Sequence, residues 1–343
     1  MSLTKNVFGE ESENEQKPQS VEPKIQDNPF FESSESEPSW VDHDEHEIVQ
    51  TTNTSAQVKL TRQPDLNISD RSQATIIDII PHQSGRLVAL KSFDGRVRLF
   101  QTDGKLLTSI VVPGAKPQGV CFTDTSLFIF TSTNTLIEID LETLTVNKSD
   151  IRNINRTKFI SACSFGDYIA VTTQLNQVLL INKRIKQIER TLMTQFRPAR
   201  ICSNSSVLVV SDDKLQFQIF QLQNDKIVTF SFKTNAYISE LAINEQILAI
   251  GCQNGIVQIF NISKLLINDS SSITLKTLTT KINAISVQKY IYYSCETTSR
   301  VYCYQTQKYI GGGEEMRASS SAWIGDQLVI GKAAGEVRVY KAE

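Results

Sequence analysis

The sequence predicts an all-β fold: a degenerate seven-bladed β-propeller preceded by a disordered acidic tail. Three observations carry this. A four-residue strand pattern, apolar at its first, third and fourth positions, recurs seven times in the last three quarters of the chain. Its copies are Val97-Arg98-Leu99-Phe100, Leu136-Ile137-Glu138-Ile139, Val178-Leu179-Leu180-Ile181, Phe217-Gln218-Ile219-Phe220, Val257-Gln258-Ile259-Phe260, Val301-Tyr302-Cys303-Tyr304 and Val337-Arg338-Val339-Tyr340. Their ends lie 39, 42, 39, 40, 44 and 36 residues apart. A period near 40 with several strands per unit marks a propeller of the WD40 type. Second, tight-turn signals punctuate the units. Third, composition changes abruptly near residue 55, where a Glu-, Ser-, Gln- and Pro-rich segment gives way to strand and turn.

Each unit reads as four strands, A to D. In the first, Thr75–Ile80, Arg86–Lys91, Arg96–Gln101 and Leu106–Val112 follow one another, divided by Pro81 to Gly85, Asp94-Gly95 and Asp103-Gly104. Asp-Gly between strands favours a tight hairpin because both residues tolerate positive φ. Asn254-Gly255 and Ala334-Gly335 stand at the place of Asp94-Gly95 in units five and seven. Unit five has strands at Tyr237–Asn244, Ile247–Gln253, Ile256–Ile262 and Ile273–Thr279, with a long connection from Ser263 to Ser272. The second strand of each unit, such as Leu127–Phe130 or Val207–Val210, is almost wholly apolar, as strands covered on both faces are. Gly311-Gly312-Gly313 reads as a flexible turn between blades.

The seventh unit stops after its third strand. A bare edge there would invite aggregation. The alternating stretch Ala56-Gln57-Val58-Lys59-Leu60 is therefore expected to pair beside it and close the ring, which gives a propeller domain over 56–343 and a tail over 1–55. The Gly-His and Trp-Asp signatures of regular repeats are absent. The position after the third strand holds Gln101, Asp140, Asn182, Gln221, Asn261, Gln305 and Lys341.

The net charge of −2 conceals an asymmetry. Residues 1–50 hold 13 acidic and 3 basic side chains, a balance of −10, and the rest of the chain carries +8. Such a tail buries too little apolar surface to offset the entropy of ordering. An acidic tail on a basic body points to nucleic acid or charged partners, or simply to a solvating tail. Val7-Phe8-Gly9, Pro29-Phe30-Phe31 and Trp40-Val41 are apolar islands in it, either short binding motifs or chance. The densest basic run, Lys183 to Arg200, holds Arg184, Lys186, Arg190 and Arg197 and is expected along the outer edge of blade three and the link to blade four. It suits counterion release from RNA phosphates, or protection of a sheet edge.

No catalytic constellation emerges, and no cofactor is expected. The three histidines are His43, His46 and His82. His43 lies among Asp42, Asp44 and Glu45, which lack metal-ligand spacing on a rigid frame. His82 follows Pro81 in a turn and reads as structural. The six cysteines form no Cys-x-x-Cys pair and read as small buried hydrophobes in a reducing compartment. No stretch approaches the ~20 apolar residues of a membrane span, so no membrane partner is expected.

Several stretches together resemble a known family. Ser39-Trp40-Val41-Asp42-His43-Asp44-Glu45 is similar to its Trp-Val-Asp-plus-acids element, and Val7-Phe8-Gly9-Glu10-Glu11 to its Val-Phe-Gly-acid element. Phe93 to Phe100 with Asp103-Gly104-Lys105, and Leu248 to Cys252 with Gly255 to Asn261, resemble its first and fifth repeats. This is the family of U-three small nucleolar RNA-associated protein eighteen, a WD40 subunit of the UtpB subcomplex of the small-subunit processome. The resemblance implies a non-catalytic nucleolar scaffold in ribosome biogenesis. It implies UtpB partners including a helical-repeat protein, and contact with U-three ribonucleoprotein and pre-ribosomal RNA, directly or through neighbours. On that reading Val7, Phe8, Trp40 and Val41 would enter apolar pockets of partners, and Asp42, Asp44 and Glu45 would meet a basic rim. Arg184, Lys186, Arg190 and Arg197 would touch RNA. Some members also carry a Leu-Phe-x-Val-Asp tail motif that recruits the exosome helicase. It is missing here, and Pro29-Phe30-Phe31-Glu32 is a poor substitute, which puts that recruitment in doubt. The alternative class is a propeller adaptor of another complex, such as a ubiquitin ligase or a vesicle coat.

Overall fold

A computed structural model describes residues 60–63, 74–112, 115–150, 157–223, 226–275 and 278–342. The predicted tail, and with it Val7, Phe8, Trp40, Val41, Asp42, Asp44 and Glu45, lies outside the described residues.

The chain is a seven-bladed β-propeller. After β1 (Leu60–Arg62), blade one comprises β2 (Ile76–Pro81), β3 (Leu87–Ser92), β4 (Arg96–Gln101) and β5 (Leu106–Val111). Blade two is β6 (Pro117–Phe122), β7 (Ser126–Thr131), β8 (Thr135–Asp140) and β9 (Val146–Asp150). Blade three is β10 (Phe159–Phe165), β11 (Tyr168–Thr173), β12 (Gln177–Asn182) and β13 (Ile188–Met193). Blade four is β14 (Arg200–Ser203), β15 (Val207–Ser211), β16 (Gln216–Gln223) and β17 (Lys226–Lys233). Blade five is β18 (Ile238–Ile243), β19 (Ile247–Cys252), β20 (Val257–Asn261) and β21 (Ser272–Leu275). Blade six is β22 (Ala284–Val287), β23 (Tyr290–Ser294), β24 (Ser299–Cys303) and β25 (Lys308–Gly312), and blade seven opens with β26 (Ser320–Ile324), β27 (Gln327–Gly331) and β28 (Val337–Ala342). Every sheet is an antiparallel meander of four strands.

The fourth strand of blade seven is β1, with Leu60 opposite Ala342, Thr61 opposite Lys341 and Arg62 opposite Tyr340. The pairing expected from 56–60 is thus made by Leu60–Arg62. The inner strands are neighbours in the order β2, β6, β10, β14, β18, β22, β26, and β26 returns to β2. At that seam Ile76 N–H donates to Lys332 O at 3.3 Å and Ser319 Oγ–H to Ile76 O at 2.6 Å. Apolar side chains of blades one and seven fill the space between, including Ile76, Leu90, Ala322 and Val337.

The second strands β7, β15, β19 and β23 are buried along their whole length, because each faces a neighbouring blade on both sides. Their apolar runs are the cores between blades. Phe217 of blade four, for example, packs against Phe260 of blade five with ring centroids 5.4 Å apart.

The turn between second and third strands needs a residue at positive φ in five blades. Gly95, Gly255 and Gly335 fill it as the sequence predicts; in blades two and three Asn134 (φ 64°) and Asn176 (φ 53°) do so. Asparagine tolerates this region better than most residues. In blades two, three and five the last residue of the third strand caps the next turn. Asp140 Oδ1 accepts from Thr143 N–H at 2.8 Å, Asn182 Oδ1 from Arg184 N–H at 2.8 Å, and Asn261 Oδ1 from Lys264 N–H at 3.2 Å.

Three local expectations need correction. The third strand of blade five ends at Asn261, whose side chain caps a helical turn at Ile262–Leu265, so the long connection begins as helix. Gly311 and Gly312 belong to β25 rather than to a loose turn between blades; a Cβ on Gly311 would meet Leu60 Cδ1 at 2.9 Å, so β25 lies close against the closing strand. Cys163 and Cys202, expected to be buried with the other cysteines, are only half-buried where they line the central cavity.

Candidate interaction surfaces

The meander leaves the ring with two unlike ends. One, the hairpin end, carries the turns between first and second and between third and fourth strands. The other, the crossover end, carries the turns between second and third strands and the links from blade to blade.

The basic run divides between them. Lys183, Arg184 and Lys186 occupy the β12–β13 turn at the hairpin end. Lys183 Nζ donates to Gly166 O at 2.5 Å, Lys186 pairs with Glu138 of blade two, and Arg184 is exposed. Arg190 lies on the outer strand β13, opposite Leu180. Arg197 is exposed in the link to blade four, at the crossover end. A six-residue strand, about 20 Å long, separates Lys186 from Arg197. The four residues read from the sequence as one RNA contact therefore lie on a turn, an edge and a link of opposite ends.

A basin at the crossover end gathers cations that the sequence scatters. Its volume is about 790 Å³, and Lys158, Arg197, Arg200, Lys214 and Lys281 line it with one carboxylate, Asp213. Lys158 immediately precedes β10, Arg197 and Arg200 bracket the start of blade four, Lys214 lies in the β15–β16 turn, and Lys281 precedes blade six. Arg200 is already engaged: Nε donates to Ser239 O at 3.1 Å and Nη2 to Glu240 Oε1 at 3.3 Å. Burial pushes the Glu240 carboxyl up from its ordinary value, and the Arg200 guanidinium pulls it part of the way back. Of these cations Arg197 and Arg200 belong to the basic run picked from the sequence, and Arg197 alone to the four residues read as RNA contacts. The local signal for another existed: Lys116 and Lys158 hold equivalent places one residue before an inner strand, each with its carbonyl accepting from the residue after a second strand.

Below the basin the inner strands enclose a channel cavity of about 450 Å³, whose wall includes Asp78, Cys121, Cys163, Cys202 and Glu240. Asp78 is paired with Lys91 at 3.3 Å. Burial raises the thiol pKa of all three channel cysteines, that of Cys163 to about 12. Among the described residues no group of three or more His, Cys, Asp and Glu side chains is placed to hold a metal ion.

His82 is buried at the hairpin end and works structurally. Its Nδ1 accepts from Ser84 N–H at 3.1 Å, so the proton sits on Nε2, which donates to Thr123 O of blade two at 3.1 Å. Its ring meets Phe122 edge to face at 5.1 Å.

The molecule is by fold a seven-bladed propeller of the WD40-like kind, with two loop-rich ends, a narrow channel and a cationic basin. No protein-family model matches the chain, and no curated protein matches it. Among the described residues no helix is long and apolar enough to cross a membrane.

Proposed function

We propose that this protein is a non-catalytic scaffold of ribosome biogenesis, acting in the nucleolus as a UtpB-type subunit that helps assemble the small-subunit processome on pre-ribosomal RNA. The observation that carries the reading is the ordered set of family-like elements along the chain. Val7-Phe8-Gly9 and Trp40-Val41-Asp42 stand in the tail, and the repeats at Phe93–Phe100 and Leu248–Asn261 stand in blades one and five. A closed ring with loops at both ends supports a scaffold role, since such a ring offers many separate surfaces. Fold alone does not assign function, and the weight rests on those elements.

The partners on this reading are UtpB subunits including a helical-repeat protein, met by Trp40 and the acids after it, and U-three ribonucleoprotein with pre-ribosomal RNA. The alternative is an adaptor in another complex. Affinity purification of the tagged protein from its native cells, with mass spectrometry and RNA sequencing of what accompanies it, tests both. Co-recovery of processome proteins and pre-ribosomal RNA is expected, and Trp40→Ala should reduce it without moving the melting temperature. Recovery of a ligase or coat complex would replace this reading with the alternative.

A further inference from the structure

We propose that the basin at the crossover end is a docking site for an acidic peptide segment of a partner protein, one that places carboxylates on Lys158, Arg197, Lys214 and Lys281 and an apolar side chain on the rim at Leu175 and Tyr237.

Five cations line the basin, while the acids at hand are Asp213 on the wall and Glu240, which holds Arg200. Three positive charges are left over in one concavity. Lys158, Arg197, Lys214 and Lys281 are exposed and make no ion pair among the described residues. Each exposed pair with a ligand carboxylate contributes little alone, but cations around a concave wall sum their fields and concentrate an anionic partner there. The basin also differs from the cationic turn of blade three, where Lys186 is matched by Glu138.

The polar groups between the cations also suit a peptide. Gln174 and Gln253 project from the equivalent turns of blades three and five, are exposed, and make no side-chain hydrogen bond among the described residues. Each offers an amide donor and an acceptor, the complement of a peptide backbone rather than of a phosphate, which only accepts.

Two large apolar side chains stand beside the basin. Leu175 follows Gln174 and is 55% exposed; Tyr237 precedes Ile238 of the basin wall and is 54% exposed. A carboxylate-rich segment with one large apolar residue satisfies both rim and basin. A single-stranded nucleic acid would call for a series of aromatic platforms along a track, and this rim supplies one, Tyr237.

The test uses the full chain and three fluorescein-labelled probes: a twelve-residue peptide of alternating Glu and Asp with one central Phe, the same peptide with Gln and Asn in place of the acids, and a twelve-nucleotide oligouridylate. Fluorescence anisotropy should show binding of the acidic peptide at submillimolar concentration, weakening as salt rises, with at least tenfold weaker binding of the amide peptide. Lys158→Glu/Lys281→Glu should weaken the acidic peptide at least tenfold, and Arg184→Glu, at the opposite end, less than twofold. Both lysines are exposed and unpaired, so the variant should fold; Lys158→Gln/Lys281→Gln, with an unchanged thermal melt, guards against a folding defect and should weaken binding in the same direction. No binding of the acidic peptide, equal binding by the charge-reversed protein, or tighter oligouridylate binding lost in the same variant would each overturn the proposal. The last would make the basin a nucleic-acid site. None of these outcomes bears on co-recovery of processome components, so this site and the scaffold role stand or fall separately.

Discussion

Asn204 Nδ2 donates to the main-chain carbonyl of Asn244, 2.9 Å away, and Asn244 is the residue one repeat further on. Asn244 Nδ2 in turn reaches Gln288 O at 2.7 Å. Each side-chain oxygen is meanwhile committed to its own turn: Asn204 Oδ1 accepts from Val207 N–H at 2.8 Å and Asn244 Oδ1 from Ile247 N–H at 2.8 Å. In blades four and five one amide thus shapes a hairpin and fastens it to the next blade. His82 makes the same cross-blade bond to Thr123 with an imidazole. The polar network of regular repeats is missing, and this chain of amides and one imidazole links blades four to six and one to two in its place.

Asn244→Ala should therefore cost about 2–3 kcal/mol, since it removes turn caps and a cross-blade bond at a partly buried site. Asn204→Ala should cost a similar amount. The two are in contact, yet their effects should nearly add, because the acceptor on Asn244 is main chain and survives the substitution. Urea denaturation of the single and double variants measures this; a coupling above about 1 kcal/mol would mean that the asparagines support each other in some further way.

The closing strand predicts a large effect from a small deletion. β1 supplies the fourth strand of blade seven, and Leu60 packs beside buried residues of blades six and seven such as Trp323 and Tyr340. A chain beginning at Ser72 should melt well below one beginning at Thr52 and should aggregate through the bared edge of β28. Leu60→Asp in the full chain should lower the melt in the same direction, by setting a charge against the apolar side chains that Leu60 packs on. Equal melting of the two truncated chains would show that β1 contributes nothing to closure.

Much of this architecture is legible in the sequence, and what is not has a physical cause. Strands announce themselves by local alternation and by turn residues, so β4 falls on the predicted span and most others within a residue or two. Asn134 and Asn176 escape notice because asparagine, unlike glycine, is not a dedicated turn residue; their equivalence to Gly95 shows only once the blades are superposed. The helical turn at Ile262–Leu265 is hidden in an apolar run whose start is a strand. The basin is illegible for a different reason. Lys158, Lys214 and Lys281 lie 56 and 67 residues apart in sequence and meet because the ring brings links and turns of different blades to one end. The conspicuous run Lys183–Arg200 is contiguous in sequence yet divided in space, because a hairpin spreads its side chains over the length of a blade: Lys183, Arg184 and Lys186 stay at the hairpin end while Arg197 and Arg200 join the basin.

Asp140 should be a source of acid sensitivity. Hydrogen bonds from Thr143, main chain and side chain, hold its carboxyl below the ordinary value, with a further main-chain bond from Glu142. A carboxyl depressed on folding contributes stability above its unfolded value of about 3.9, and the contribution disappears as pH falls through the lower folded value. Asn182 makes the same cap with an amide. Asp140→Asn should fold normally and melt below the wild type at neutral pH, and that gap should close below about pH 4. A gap that stays constant down to pH 2 would assign the effect to geometry rather than charge.

The channel cysteines should be nearly inert in the folded protein. Burial raises the thiols of Cys121, Cys163 and Cys202, and at Cys163, pushed up to about 12, hydrogen bonding with Ser203 and the nearby charge of Lys183 offset only part of it. The reactive thiolate is then scarce, and alkylation of Cys163 by iodoacetamide at pH 8 should be at least about tenfold slower than that of a free thiol. Mass spectrometry of peptides labelled before and after unfolding in guanidinium reads each site. Rapid native labelling of Cys163 would show that solvent and reagent enter the channel freely.

Gly255 should be the least replaceable turn glycine. It holds φ at +81°, and a Cβ there would lie 2.0 Å from Leu278 O and 2.9 Å from Thr280 O, both main-chain atoms of the link to blade six. The main chains are tied together at this point, since Leu278 N–H donates to Gly255 O at 3.0 Å. Neither acceptor is the end of a flexible side chain, so the link itself must move. Gly255→Ala should cost about 2–4 kcal/mol through backbone strain and displacement of that link. Gly325 has a similar positive φ of +60° with open space around it; Gly325→Ala should cost about 1 kcal/mol, the conformational penalty alone. Equal losses in the two variants, measured by urea denaturation, would mean that φ dominates and that the close approach of Leu278 is relieved at little cost.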